Sequence, residues 1–593
     1  MSKEICEELK SLTKLEFEKI INHLPSDPIV RFILFTESLR VLDLNSILFR
    51  NSTDVSRVPS NDILKMGWNL LASILFEGHF SSGFPIMKST EETFAVARGV
   101  LHHCGCITMV NRTVDMIYSG VLTVEKENNK YVFKKTENAN SQFLDDLEIS
   151  QFQNLENELK NNIGGYYNDW NVVEKNNLEK AFNSYGNFVS SITADFSSLF
   201  SDNIEELLNN QVYPWDSGHG VMTGYGSTPE IDMHFLGKAF SLIHEWREIA
   251  GLHPKTKIGN ITGADVTSAV LYMTSFHLKH ISCCLLASKK HSEISLEQSL
   301  TIWGPLDAVI DDIVEFSGME KAIVAEAFES ITLKPNDVNL LRTHTSRFMP
   351  LLIDIGNGIV LRPISSIERN PFLTINQILE YRNPNFRNDL SYHREEWLRN
   401  NLYAIFSGSR YSTIPGNITL KSGNIVETDI DAAILDITTG DLALFQIKWQ
   451  DFFFNDAQKL RSRASNLTKS LDDWTQKVDS WIGLNGRTKL LQTLRLPDDK
   501  STGNIYLFAI SKNAARMQGY GYTVKSENLA ISNWHQFMRT RHEVGPSKKV
   551  FKDLFDILKS EENKTVETAP LHAEFILSDK IFEYKDLWST HGS

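Results

Sequence analysis

The sequence predicts a multidomain α + α/β protein, with a large, mainly helical N-terminal region followed by an α/β domain built on a mixed central sheet. Three observations lead to this fold class. The 593 residues are enough for three or four domains with their own cores. Up to residue 370, apolar side chains mostly recur at the helical spacing near 3.6 residues. After residue 390, short apolar strands alternate with helices, which is typical of a sheet covered on both faces.

Two hairpins interrupt the helical pattern of the first region, near residues 117–135 and 348–364. The glycine-rich stretch 218–227 lacks the Lys-Ser/Thr ending of a phosphate-binding loop, so we predict an ordinary connecting loop there. Asn-Pro pairs interrupt the pattern between residues 370 and 390. We therefore predict a helical region over 1–370 that senses or binds a partner or substrate, and a second domain over 371–593.

Composition indicates an ordinary globular chain, with 41% hydrophobic and 23% charged residues. The five cysteines are odd in number and sparsely placed, which favours reduced thiols and a cytoplasmic location over a disulfide framework. No apolar run reaches the roughly 18 to 20 residues that span a bilayer, so we expect no membrane association. Cys104 and Cys106, with their histidine neighbours, predict a buried structural role because no second pair follows at zinc-finger spacing.

Two short apolar strands joined by a tight turn lie within residues 427–449. The turn-forming residues 437–440 suit a four-residue hairpin loop, in which Asp436 faces Asp441. Pairing then runs back along both strands in a fixed register. The sequence therefore predicts which side chains face each other across the hairpin.

In this register Asp431 lies opposite Gln446, and Asp429 lies opposite Lys448. Strand side chains alternate between faces, so these four groups share one face. Directly opposed residues have Cβ atoms about 5 Å apart. The hairpin therefore predicts a patch of two carboxylates, an amide and an ammonium that can hold a hard divalent cation beside a phosphate.

The Gln446-Ile447-Lys448 segment, with Asp431 on the preceding strand, resembles the Q-x-K variant of the PD-(D/E)XK superfamily, the restriction-endonuclease-like nucleases. The shared core of that family has a helix, an acidic residue on the second strand and a (D/E)-x-K on the third. Mrr-like branches carry the same Gln. The resemblance covers about residues 390–545. It implies a restriction-endonuclease-like domain with a metal-dependent nuclease site.

The resemblance implies Mg²⁺, or Mn²⁺, held by Asp431, an oxygen of Gln446 and the Ile447 carbonyl. Such ions prefer oxygen ligands and keep several waters. Lys448 would orient the attacking water or stabilise charge on the phosphate oxygens. The helix before the strands often supplies a further acid in this family. Glu396 is our candidate for that role.

Two further carboxylates are secondary candidates for the site, Glu395 on the helix and Asp429 on the strand. First-turn acids that serve only the helix dipole remain an equal alternative for the glutamates. A surface ion pair across the hairpin is the alternative for Asp429 and Lys448.

A basic segment follows the hairpin, although the whole chain carries a net charge of −14. Residues 451–560 hold 18 Lys and Arg against 11 Asp and Glu. Lys459, Arg461 and Arg463 lie on the helix after the third strand, which borders the substrate in the resembling fold. We expect them to contact nucleic acid, with a solvated helix face as the alternative.

The sequence thus favours a Mg²⁺-dependent endonuclease acting on nucleic acid, with DNA favoured over RNA. The resemblance suggests bacterial defence against foreign DNA, and it leaves a homodimer and a protein partner of the N-terminal region open. One alternative is a nuclease fold that binds nucleic acid with weak or no catalysis. A second is an interaction scaffold governed by the helical region.

Overall fold

The computed structural model describes residues 2–48, 58–76, 88–136, 204–343, 348–406, 408–449, 457–497, 503–513, 522–562 and 571–587. The chain is a mixed α/β protein with several mixed sheets. In the described part of the chain, no helix is long and apolar enough to cross a membrane.

The helices in chain order are α1 (Ser2–His23), α2 (Pro28–Leu48), α3 (Val58–Leu75), α4 (Glu91–Tyr118), α5 (Ile204–Asn209), α6 (Pro229–Ala250), α7 (Gly263–Lys290), α8 (Leu296–Ser299), α9 (Leu306–Ser317), α10 (Lys321–Ile331), α11 (Val338–Thr343), α12 (Phe372–Arg382), α13 (Phe386–Ala404), α14 (Ala457–Leu494), α15 (Trp534–Val544) and α16 (Val550–Glu561). Single 3₁₀ turns occupy Pro335–Asp337 and Ile364–Ile367. A non-helical residue, Gly486, breaks α14.

The strands are β1 (Leu122–Glu127), β2 (Lys130–Lys135), β3 (Val212–Asp216), β4 (Val221–Tyr225), β5 (Lys257–Ile258), β6 (Ile261–Thr262), β7 (Ile302–Pro305), β8 (Thr332–Leu333), β9 (Leu352–Asp354), β10 (Ile359–Arg362), β11 (Tyr411–Thr413), β12 (Ile418–Ser422), β13 (Ile425–Ile430), β14 (Ala432–Asp436), β15 (Leu442–Lys448), β16 (Ile505–Ser511), β17 (Leu529–Asn533), β18 (Leu571–Leu577) and β19 (Lys580–Leu587). Both predicted hairpins of the first region are present, as β1–β2 and β9–β10.

The glycine-rich stretch 218–227 is a hairpin, so our prediction of a plain connecting loop was wrong. Strands β3 and β4 pair antiparallel through a turn in which Gly218 and Gly220 have positive φ angles of 77° and 135°. Glycine adopts these angles without a Cβ clash. The strand before the turn contains Pro214 and charged or aromatic residues, so its sequence is not the apolar run that predicts a strand.

Two reciprocal glycines allow helices α3 and α4 to approach closely. A Cβ added at Gly67 would lie 1.9 Å from the Leu101 carbonyl oxygen. A Cβ added at Gly105 would lie 1.9 Å from the Ile63 carbonyl oxygen. Because either contact is far inside van der Waals distance, this crossing requires glycine on both helices.

The first and last strands of the described residues belong to one sheet. Its order is β1-β2-β19-β18, with β2 and β19 parallel. Phe582 stacks on Tyr131 across the strands, with ring centroids 5.3 Å apart. The hairpin of β18 and β19 therefore packs with the strands that follow α4.

The candidate site lies on a five-stranded mixed sheet in the order β11-β14-β15-β16-β17. The pairs β11–β14 and β14–β15 are antiparallel, whereas β15–β16 and β16–β17 are parallel. Leu442 and Leu444 pack in the same core as residues of α14, while Ala443 and Phe445 pack with α13 and α15. Alternating side chains thus bury both faces of this sheet.

Candidate active site

The predicted hairpin is present in the predicted register. Leu435 pairs with Leu442, and the Asp436 amide donates to the Asp441 carbonyl at 2.9 Å. The Asp436 side chain accepts from the Thr438 amide at 3.0 Å, which stabilises the loop. The loop ends at Gly440, whose φ of 75° suits glycine. This turn sets which side chains of β14 and β15 lie opposite each other.

Asp431 lies at a bend directly before β14, opposite Gln446. Its amide donates to the Phe445 carbonyl at 3.1 Å, which continues the hairpin pairing. The Asp431 carboxylate is 4% exposed, and one of its oxygens accepts from both the Gln446 side-chain amide and the Ile447 backbone amide, the latter at 2.7 Å. The other oxygen accepts from the Asn417 side chain at 3.2 Å. The carboxylate is therefore held in one orientation from both sides.

The Ile447 backbone faces the Asp431 side of the strand. The N–H and C=O groups of a strand residue point the same way, so the Ile447 carbonyl faces the side to which its amide donates. The side-chain NH₂ group of Gln446 donates a hydrogen bond to Asp431. The side-chain oxygen of Gln446 would therefore reach a cation only after the amide group rotates. One carboxylate, one amide and one carbonyl thus converge at the end of the hairpin.

Burial raises the pKa of Asp431 to about 6. The positive charge of Lys448 and the Ile447 amide oppose this effect, whereas the charges of Asp429 and Glu395 add to it. Desolvation disfavours the charged form of any buried carboxyl. A carboxylate in an apolar setting with such a pKa is a frequent feature of functional sites.

Asp429 is close to the site but does not pair with Lys448, so that part of the predicted register was wrong. Strand β13 leaves the five-stranded sheet and pairs with β12, where Asp429 lies opposite Thr419. The Trp474 indole of α14 donates to the Asp429 carbonyl at 2.8 Å and holds this departing strand. The bend at Asp431 marks the change of partner.

Of the two glutamates on α13, the structure brings Glu395 to the site. Burial raises the pKa of Glu395, while the charges of Lys448 and Arg399 oppose that rise. The Glu396 carboxylate instead lies 4.0 Å from a ring nitrogen of His393, with its side chain 46% exposed. Our preference for Glu396 is thus not supported by its position, because consecutive helical residues point about 100° apart.

Two residues of α13 that we did not predict also border the site. Arg399 and Tyr403 follow Glu395 at intervals of four, on the same face of the helix. The charge of Asp431 acts on the Tyr403 phenol, whose pKa burial raises to about 12. The Tyr403 hydroxyl also accepts from the Ala433 amide of β14 at 3.4 Å. Their four-residue spacing was the sequence signal that could have identified them.

The structure describes the surroundings of two of the three side chains predicted to contact nucleic acid. The Arg461 guanidinium donates to the carbonyl of Tyr118, the last residue of α4, at 2.5 Å. Cations are favourable at helix C-termini, so this contact has a structural reason. Arg463 is half-buried on the same helix. The Lys459 side chain lies outside the described residues.

No group of three or more His, Cys, Asp or Glu side chains is placed to hold a metal ion within the described ranges. The predicted ligand set differs from such a group, since it combines one carboxylate with an amide oxygen and a backbone carbonyl. Cys104 and Cys106 are buried, and burial raises the pKa of both thiols to about 12.

Comparisons of this chain with protein-family models, with curated proteins and with solved structures gave no match.

Proposed function

We propose that this chain is a metal-dependent nuclease that hydrolyses phosphodiester bonds of nucleic acid, with DNA favoured. The observation that carries the proposal is the buried Asp431 carboxylate, fixed by Gln446 and Ile447 and acted on by the charge of Lys448. Stability gives little reason to collect such groups among apolar strands. A substrate phosphate and a divalent cation would use all of them.

The order of elements supports the same proposal. Helix α13 precedes the five-stranded sheet. Within that sheet β11 is the first strand in chain order, Asp431 directly precedes the second, β14, and Gln446 and Lys448 lie on the third, β15; β12 and β13 form a separate hairpin between β11 and β14. Helix α14 then leads to β16, which is parallel to the third strand. This order corresponds to the core that the PD-(D/E)XK resemblance implies.

The donor set fits a hard divalent cation, because carboxylate, amide and carbonyl oxygens are what Mg²⁺ and Mn²⁺ prefer. Asp431, the Gln446 oxygen and the Ile447 carbonyl would hold the ion. When bound, such an ion supplies Lewis acidity and lowers the pKa of a coordinated water. Lys448 would place its ammonium group against the phosphate and stabilise the negative charge that develops there. Glu395 would take the place that we first gave to Glu396.

The second candidate function is nucleic-acid binding with weak or no catalysis. The observation that favours it is the hydrogen bond from the Gln446 amide nitrogen to Asp431, which occupies a carboxylate oxygen with a neutral partner. A neutral amide is also a weaker metal ligand than the usual carboxylate at this position.

A cleavage assay separates the two functions. Duplex DNA, single-stranded DNA and RNA are incubated with the wild-type chain in Mg²⁺, in Mn²⁺ and in EDTA. We expect metal-dependent products that fall at least about 100-fold in Lys448→Met, because a charge that stabilises a transition state is typically worth that much. Lys489→Met, which removes an exposed lysine of α14, is the matched control and should cleave normally.

Equal cleavage by Lys448→Met and wild type would reject Lys448 as a catalytic residue. Binding of nucleic acid without product in any metal would favour the binding module. A role in defence against foreign DNA is part of the same proposal. It requires that DNA be among the cleaved substrates.

A further inference from the structure

A second cluster of charged and polar groups lies far along the chain from the candidate active site, around the end of β10 and the middle of α7. The Arg362 guanidinium carbon lies 5.7 Å from the ring centroid of Phe276. The Lys279 ammonium lies 5.7 Å from the same centroid. Two cations therefore flank one aromatic ring, an arrangement that stabilises them only in part.

The two cations differ in how their charges are balanced. Lys279 forms an ion pair with Asp232 at 2.5 Å and a hydrogen bond with Ser227 at 3.2 Å. No carboxylate of the described residues lies within 4.0 Å of the Arg362 guanidinium. Its Nε atom is shielded from solvent and has no acceptor among those residues. A shielded guanidinium with no ion-pair partner and an unbonded Nε is unfavourable, even though the more distant Asp312 carboxylate acts on it.

The imidazoles beside Arg362 do not add charge. Burial lowers the pKa of His277 well below its usual range and that of His280 to about 4, so both rings are neutral at pH 7. The His280 Nε2 atom lies 2.8 Å from the Ser299 carbonyl, which can only accept, so Nε2 carries the proton. His280 Nδ1 then accepts from the Tyr225 hydroxyl at 3.0 Å.

These assignments leave Arg362 as the cation of the cluster without an ion-pair partner among the described residues, and the charge of Asp312 acts on it only from beyond ion-pair distance. The Tyr225 hydroxyl donates its hydrogen bond to His280, so the Tyr225 oxygen can only accept further hydrogen bonds. Burial lowers the pKa of the Arg362 guanidinium, yet Arg362, Tyr225 and Phe276 all keep part of their surface exposed. These side chains are largely desolvated, yet a small ion in solution can still reach them.

We propose that this cluster is a binding site for a small oxyanion of the phosphate or carboxylate type, with Arg362 as its main ligand. The guanidinium offers parallel N–H donors that match two oxygens of such an anion. Phe276 lies beside the guanidinium, and Lys279, which is already paired with Asp232, lies near the same ring. This site uses none of the residues of the candidate active site, so it stands whether or not the chain is a nuclease.

The test measures binding of inorganic phosphate and of acetate to the full chain by calorimetry, and melting in each anion against chloride at equal ionic strength. We expect phosphate, acetate or both to bind wild type and raise its melting temperature. Arg362→Met should weaken that binding at least tenfold and remove the rise. Arg98→Met, which removes an exposed arginine of α4, is the matched control and should respond as wild type does.

A second readout separates a binding role from a structural one. If Arg362 is held for a ligand, Arg362→Met in chloride should melt at or above the wild-type temperature, because a shielded charge without an ion-pair partner is removed. Arg362→Lys keeps the positive charge but lacks the parallel N–H donors of the guanidinium, so it should bind the anion with intermediate affinity. A large fall in melting temperature for both variants in chloride would overturn the proposal. So would unchanged anion binding by Arg362→Met, or no response of wild type to either anion.

Discussion

Replacement of Asp431 by Asn tests whether this buried carboxylate is kept at a cost to stability. Burial raises the pKa of Asp431 from its ordinary value of 3.8 to about 6. Since one pKa unit corresponds to about 1.4 kcal/mol, ionising Asp431 in the folded chain costs about 3 kcal/mol more than in the unfolded chain. The group is 4% exposed, so solvent screens little of this cost.

The sign of the pH dependence follows from proton binding. Between pH 3.8 and about 6 the folded chain holds the Asp431 proton more tightly than the unfolded chain does. The stabilisation is therefore fully present below pH 3.8 and is lost as pH rises through about 6. An Asn at this position does not titrate, so it avoids the loss.

The hydrogen bonds of Asp431 can be largely retained by Asn. The oxygen that accepts from Gln446 and Ile447 is replaced by the amide oxygen. The new NH₂ group faces the Asn417 amide, which can rotate to present its own oxygen. We therefore expect Asp431→Asn to be more stable than wild type by up to about 3 kcal/mol at pH 7.5, with a small difference at pH 4.

Differential scanning calorimetry of both proteins at pH 4, 5, 6 and 7.5 measures the effect. The expected result is a melting temperature several degrees higher for Asp431→Asn at pH 7.5, converging with wild type as the pH falls. Asp436→Asn is the control, because Asp436 is 1% exposed but paired with Arg410, so its replacement should destabilise. A variant at Asp431 that is less stable than wild type at pH 7.5 would refute the reasoning.

Two further substitutions test the surrounding structure. Gly105→Ala should destabilise the protein by about 1 to 3 kcal/mol, because the new Cβ meets the Ile63 carbonyl at the α3–α4 crossing. Thermal melting measures this loss. Gly99→Ala on the same helix is the control: its Cβ has open space, so it should be neutral or stabilising. Arg410→Ala should cost about 3 kcal/mol, since it leaves the buried Asp436 carboxylate without its cation. Arg410→Lys should recover part of that loss, and a melting temperature unchanged in Arg410→Ala would show that the pair is unimportant.

The hairpin register could be predicted because its causes are local. A four-residue loop between alternating apolar strands fixes the pairing, and Asp431 faces Gln446 as expected. The same reasoning failed at Asp429, where the chain pairs with β12 instead of β15. The alternation of side chains along the sequence continues through the bend at Asp431, so the sequence pattern does not reveal this change of partner strand. The competing partner is β12, which only the three-dimensional arrangement of the hairpins reveals.

The choice between Glu395 and Glu396 depends on the rotation of α13 about its axis, which is set by packing. Trp397, Leu398 and Leu402 fix that rotation by packing in one apolar core. The pairing of β2 with β19 could not be predicted either, because roughly 450 residues separate the strands and neither carries a local signal for the other.

Mn²⁺ binding measured by electron paramagnetic resonance at pH 7.5 tests the central claim most directly. We expect the wild-type chain and Lys448→Met to bind a Mn²⁺ ion that Asp431→Asn does not bind, although the Asn variant is expected to be the more stable protein. Unchanged Mn²⁺ stoichiometry and affinity in Asp431→Asn, or no Mn²⁺ bound to wild type, would contradict a metal site at the end of this hairpin.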